Sequence, residues 1–324
     1  MRAPRLLSHP ADLHCLVFHL VALLTYGVAF WLWLHPDAAG LTSVGGRVAF
    51  VLAAALMLGW ISGIDVGVNF HNHTHRRIFR RAFLNRWFGR LWTFSGGWPA
   101  FFWQHAHVTV HHDHVLGHGD WTLPRRRADG SWESLFRYSV LHWPWRYAAH
   151  LAADFHGGRA GPQGGRRALR ELGWFLLFWS VPFVIDPAMG LVLWAFPHWI
   201  ANVLVMGPGM YAQHALCDEP SRRPMRHSNT FLSRFFNLTM FNIGYHTEHH
   251  EHPHVHWSEL PGLHERMKDE LIEHQSHVVP FGYYRGGQLL SALTGPRRSR
   301  EKFAEQHPDY VRVPEKEPVA GGEP

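Results

Sequence analysis

Residues 13–34, LHCLVFHLVALLTYGVAFWLWL, run without a single Asp, Glu, Lys or Arg. A helix of that length crosses a hydrocarbon core of about 30 Å. Inside lipid every backbone polar group must then be satisfied within the protein, which leaves few folds open. The turn-rich piece HPDAAGLTSVGG at 35–46 separates this run from a second, which goes from Arg47 through VAFVLAAALMLGWISGI to Ile64. Another pair follows, Leu172 to Ile185 and Met189 to about Met210, divided by Asp186 and Pro187. Its first member is short for a full crossing and has to tilt, recruit neighbouring residues or thin the bilayer. The expected fold is an all-α integral membrane protein: four transmembrane helices in two hairpins, with a cytosolic helical cap. The membrane-bound domain is expected over 1–294, and the polar stretch 295–324 is expected to be a disordered tail. Arg2 and Arg5 precede an apolar run too long for a signal-peptide core, so no cleaved signal is read.

Basic charge gives the orientation. Arg76, Arg77, Arg80, Arg81, Arg86 and Arg90, then Arg125, Arg126 and Arg127, all fall after the second span, whereas 35–46 and the turn near Asp186 are almost free of it. The positive-inside rule makes the arginine side cytoplasmic and puts both termini there. On that side WTFSGGWPAFFW and the WPWRY of 143–147 read as interfacial pieces resting on headgroups, and GGRAGPQGGRR at 157–167 as a flexible connection. The mean hydropathy of −0.17 conceals this pattern, because strongly apolar blocks are averaged with very polar ones.

The chain holds 29 His and only two cysteines, Cys15 and Cys217, which excludes a disulfide framework, a thiolate zinc knuckle or an iron–sulfur cluster built from this chain alone. The histidines gather in three runs. His246, His249 and His250 stand at i, i+3 and i+4 and share one helix face. His71 and His75 stand at i, i+4, and HAHVTVHHDH at 105–114 offers His107, His111 and His112. One histidine tract can be solvated and idle. Three tracts that an even number of spans returns to the same membrane side point to one polynuclear metal site, with imidazole ligation suited to iron, copper, zinc or manganese. On an ideal helix His112 lies about 140° from His107, and His107, His111 and His114 make the cleaner stripe, so the second run needs either a distorted helix or His114 in place of His112. His73 faces away from His71 and His75. His105, His118, His252, His254 and His256 read as supporting, interfacial or solvated residues. Asp65, Asp113, Asp120, Glu248 and Glu251 could accept ligand N–H groups, with ordinary surface charge as the plain alternative for each. Pro253 ends the third run's helix, and SELPGLHERMKDELIEH reads as a charged cytosolic helix able to close over the site.

The boxes His71-x3-His75, His107-x3-His111-His112 and His246-x2-His249-His250, with two membrane hairpins, resemble the integral-membrane fatty acid desaturase and hydroxylase superfamily, the histidine-box di-iron enzymes. The resemblance runs from about residue 50 to residue 262 and includes His252-Pro253 and Trp257-x-x-Leu260-Pro261. It implies a further ligand, matched by His214 at the end of the last span, and so nine: His71, His75, His107, His111, His112, His214, His246, His249 and His250. Met210 stands where some relatives carry a polar amide one turn before the His214 position.

What the resemblance implies is two iron ions, dioxygen as co-substrate, and attack on an unactivated C–H bond of a fatty acyl chain or related lipid. Desaturation is the first expectation, with hydroxylation, oxidative decarboxylation to a terminal alkene, or carotenoid ring oxidation as alternatives on the same architecture. No HPGG haem motif, Cys cluster or nucleotide fingerprint occurs, which calls for a separate ferredoxin or small cytochrome with its reductase. A pI near 9.6 suits an acidic donor or lipid headgroups; nucleic acid is not expected as a partner. A divalent-metal transporter is the rival from another class, disfavoured because the spans hold few ionisable groups. A zinc-dependent membrane hydrolase ranks third.

Overall fold

A computed structural model of the chain describes residues 6–117, 119–122, 124, 133–156, 161–215, 217–218 and 224–279. The expected tail 295–324, Arg125, Arg126, Arg127 and His118 lie outside the described residues. The chain divides into two compact units, residues 1–113 with 139–208 and residues 114–138 with 209–324.

The helices that lie wholly or mainly in the first unit are α1 (Asp12–Leu34), α2 (Val44–His75), α3 (Ala82–Gly96), α4 (100–114), α5 (137–156), α6 (Gly161–Ile185) and α7 (Pro187–His214), the last running on into the second unit by six residues. Four are long and apolar enough to cross a membrane: α1, α2, α6 over Gly165–Ile185, and α7. The short apolar run of α6 gains its length by recruiting residues on its N-terminal side. Part of the expected flexible connection is therefore helix: 161–167 belongs to α6, with Pro162 in its first turn, where a missing N–H is harmless. Residues 157–160 are not described.

Local chemistry sets the ends. Ser43 caps α2 by accepting from the Gly46 N–H at 3.0 Å, and Asp186 caps α7 by accepting from Met189 N–H at 2.9 Å, with Pro187 following. Gly97, at φ 66°, closes α3 in the left-handed conformation that glycine tolerates best. Helix α7 absorbs Pro197 and Pro208 by widening just before each, in π-helical segments Gly190–Ala195 and Asn202–Met206. A proline supplies no N–H to the ladder, and the shift in hydrogen-bond register accommodates the loss.

Packing in this unit centres on α2 against α7. The stripe Gly59-x3-Gly63-x3-Gly67 faces it: a Cβ at Gly59 would stand 2.5 Å from Ile200, and those at Gly63 and Gly67 would meet Val205 and Met206. Small residues at this interval let helix backbones approach where lipid supplies no hydrophobic drive. Helix α1 joins through Tyr26, whose hydroxyl pairs with Ser62 Oγ at 2.6 Å, and through an apolar cluster that includes Leu58, Leu193 and Trp194. One expectation needs adjusting. Trp92, Trp103 and Trp143 are buried at 1–2 % exposure and so pack inside the protein, while Trp145, at 75 %, keeps an outward position. Asp65, just past the apolar run that ends at Ile64, forms a buried pair with His19 of α1 at 2.7 Å, extended by Ser95 and Asn69.

The second unit contains α8 (Arg234–Thr239), α9 (His246–Glu251) and α10 (Leu260–Glu273). It also holds a two-stranded parallel sheet of β1 (Asn229–Phe231) and β2 (His277–Val279), in register Thr230 to Val278. The all-α expectation missed these strands, which are too short for a periodic signal. Every residue in them is buried, and β-branched Thr230, Val278 and Val279 suit the pairing. Leu260, Leu263, Met267 and Leu271 form the apolar face of α10, which packs with Met225 in one buried cluster. Helix α9 ends at Glu251, before Pro253, as expected.

Candidate metal centre

The first unit brings one histidine cluster together on the ends of two helices. Helix α2 is π-helical over Asp65–Phe70 and returns to α-helix over His71–His75, so His71 and His75 lie on one face with ring centres 5.0 Å apart. Helix α4 is π-helical over His105–His111. Hydrogen bonds from i to i+5 bring residues five apart onto the same face, which sets His112 beside His107. His112 joins the cluster beside His107, with Nε2 atoms 3.2 Å apart, and His114 is exposed.

Three Nε2 atoms meet here: His107 stands 3.0 Å from His75 and 3.2 Å from His112. His71 closes on His107 at 4.3 Å between ring centres. The ligand atoms of His71, His75 and His107 all lie within 4.8 Å of one another. Burial, with the neighbouring His71, His112, His75 and His111, holds His107 well below the usual imidazole range and therefore neutral. A neutral imidazole is the form that coordinates metal. Trp103 lies flat against His107, ring centres 5.5 Å apart and 5° from parallel, and fixes the ring plane.

The second unit carries another cluster. His214, at the end of α7, meets His246 and His250 of α9, with ring centres 4.7–5.0 Å apart. His214 Nδ1 lies 3.0 Å from the His227 carbonyl, and a carbonyl can only accept, so Nδ1 carries the proton. Nε2 is then a bare lone pair, and it faces His246 Nε2 at 3.0 Å. Polar residues brace α9. Glu248, fully buried, accepts from His264 Nδ1 on α10 and from Thr230 Oγ1 at 2.7 Å. Glu251 accepts from His227 Nε2 at 2.8 Å, which keeps the Glu251 carboxyl below its ordinary range. His249 is buried on the same helix, 5.9 Å from His246 between ring centres.

Both arrangements fit a metal ion. Imidazole lone pairs aimed at one another at about 3 Å repel unless a proton or a cation lies among them, and the His107 nitrogen meets two neighbours at once.

Residues outside the clusters separate clearly. His73 is fully buried, stacked on Phe70 with ring centres 5.9 Å apart and packed against Trp92, so it belongs to the helix packing. Asp120 accepts from Leu116 N–H and from both the N–H and hydroxyl of Thr122, which makes it a turn residue. Asp65 serves His19. Asp113 and His254 are exposed, and His105 and His252 are half-buried. His256 caps the short turn Trp257–Glu259. Met210 is buried and presents a thioether where an amide was sought. The bracing histidines His227 and His264 escaped sequence reasoning, because each stands apart from the three runs and carries no periodic signal.

A family model described as fatty acid desaturase matches residues 45–282, a span that takes in all three histidine runs and His214. The chain belongs to the fatty acid desaturase family. Among curated proteins, a beta-carotene ketolase of Paracoccus sp. (strain PC1) is similar, 28 % identical over 178 residues that cover 48 % of this chain and 70 % of the relative. Membership of the desaturase family, together with four candidate membrane spans, makes the protein an integral membrane oxidoreductase.

Proposed function

We propose that this desaturase-family protein is an oxygen-dependent di-iron enzyme that desaturates a fatty acyl chain or related lipid. The observation that carries the reading is the convergence of imidazole nitrogens in each unit, with His107 Nε2 held 3.0 Å from His75 Nε2 and His214 Nε2 held 3.0 Å from His246 Nε2. We assign the iron ligands to the nine histidines His71, His75, His107, His111, His112, His214, His246, His249 and His250. Iron bound there would supply the redox chemistry with dioxygen that removes hydrogen from an unactivated C–H bond.

The chain's own residues set the conditions for that step. Burial keeps His107 uncharged, so its ligand lone pair is available without loss of a proton. The His227 carbonyl holds His214 in one tautomer and one orientation, and Glu248 pins α9 through Thr230 and His264. Such supporting contacts raise ligand basicity and fix geometry. Whether the product is an alkene or an alcohol rests on how the reacting carbon is seated.

The finer topology belongs to the same reading: two hairpins, α1 with α2 and α6 with α7, the 1–294 domain capped on the cytoplasmic side, and the metal site and termini on that side. Electrons would come from a separate ferredoxin or small cytochrome with its reductase. A second reading, oxidation of a carotenoid ring, has the Paracoccus ketolase behind it.

Two measurements test this. Purified protein should contain about two irons per chain, and His249→Ala should abolish oxygen-dependent turnover; retained activity overturns the assignment. Mass spectrometry of host lipids with and without expression separates loss of H2 from gain of one oxygen, and shows whether acyl lipids or carotenoids change. Metal uptake into proteoliposomes without lipid oxidation would select a transporter instead, and turnover without oxygen a hydrolase.

A further inference from the structure

Away from the histidines, the first unit holds a cavity of about 520 Å³ between α3, the start of α4 and the start of α6. Its volume falls within the roughly 300–1,000 Å³ usual for small-molecule sites. Arg77, Arg86, Arg90, Arg167 and Arg170 line it, against one acid, Glu171. Glu171 is already committed: Arg90 grips it with two bonds of 2.9 and 3.0 Å, and Arg170 approaches at 3.4 Å. Arg90 in turn packs over both Trp87 and Trp174, 4.9 and 5.1 Å from their ring centres, so this strut forms a wall tying α3 to α6. Arg77, Arg86 and Arg167 have no carboxylate partner among the described residues.

Arg77 follows directly on the end of α2, while Arg167 stands on the first turns of α6 with its guanidinium over Phe101, 4.8 Å from the ring centre. Like charges held together around a partly enclosed space are unfavourable unless an anion comes between them. Part of the lining is apolar: Phe70, Gly89, Ala100 and Phe101. Arginine's planar fork favours phosphate oxygens, and apolar lining beside it suits a ligand whose anionic group is joined to hydrocarbon. The cavity also lies at the N-terminal end of the candidate span Gly165–Ile185, the level at which lipid headgroups would be met.

We propose that this cavity binds the phosphate group of an anionic membrane phospholipid. The site is independent of the iron assignment, and its test can be read on metal-free protein. The full chain, purified in detergent and stripped of lipid, is titrated with short-chain phosphatidylglycerol and, separately, with inorganic phosphate. The double variant Arg77→Gln/Arg167→Gln should weaken phosphatidylglycerol binding by about tenfold or more, as the loss of charge-assisted contacts implies. The control Arg81→Gln/Arg234→Gln, on exposed arginines outside the cavity, should bind as wild type does. Should the double variant fail to fold, Arg167→Gln alone, on an exposed side chain, gives the same reading with a smaller loss. Inorganic phosphate that binds at these arginines while phosphatidylglycerol does not would keep the anion site but overturn its lipid source. Equal phosphatidylglycerol binding by wild type and a folded cavity variant overturns the site itself.

Discussion

The two histidine clusters are held by different forces. The first rests on backbone register and ring packing: π-helical segments in α2 and α4 turn His71, His75, His107 and His112 toward one another, and Trp103 lies flat on His107. The second rests on polar bracing. Its short helix α9 is pinned by Glu248 to Thr230 and His264 and by Glu251 to His227, while the His227 carbonyl fixes His214. Long helices can impose geometry through their own ladder, whereas a helix of six residues is marginal alone and needs outside support. The difference teaches that one kind of ligand can be positioned by shape in one place and by hydrogen bonds in another. Damage to the two should therefore look different.

The largest effect is expected where the contrast vanishes. His107→Ala and His246→Ala should each abolish turnover and lower bound iron, by more than the roughly 10–100-fold expected of supporting residues. If only one of them matters, the clusters do not serve a common reaction. Next comes Glu248→Gln, which keeps the shape but weakens the bracing. Metal affinity, measured by competition with a chelator, should fall about 10–100-fold while helical content stays unchanged. Trp103→Leu should act the other way round, lowering thermal stability by about 2–3 kcal/mol through lost packing, with a smaller change in metal affinity. A large affinity loss there, with stability intact, would erase the distinction between the clusters. The smallest effect is reserved for His73→Phe: iron content should stay the same and stability change by less than about 1.5 kcal/mol, since His73 sits in an aromatic stack outside the cluster.

Much of this was legible in the residues. The four apolar runs are local features, and helix periodicity already aligned His246, His249 and His250. What stayed hidden depends on contacts between distant segments or on departures from ideal geometry. An ideal helix left His112 and His114 in competition, because a change from i+4 to i+5 bonding leaves no mark in composition. Glu248 was visible as a possible partner for a ligand, but its partners Thr230 and His264 come from β1 and α10. The pairing of His19 with Asp65 spans 46 residues, and nothing in α1 alone announces it.

The glycine stripe of α2 has a consequence for how this chain can tolerate change. Gly59, Gly63 and Gly67 lock α2 against α7 at a set rotation, and only a few residues separate that lock from His71 and His75. Adding one residue between Gly67 and His71 would leave the span long enough and apolar enough, yet swing both imidazoles by about 100° around the helix axis. Length variation should thus be forbidden in this short spacer, which makes α2 behave like a key whose cut sets what it opens.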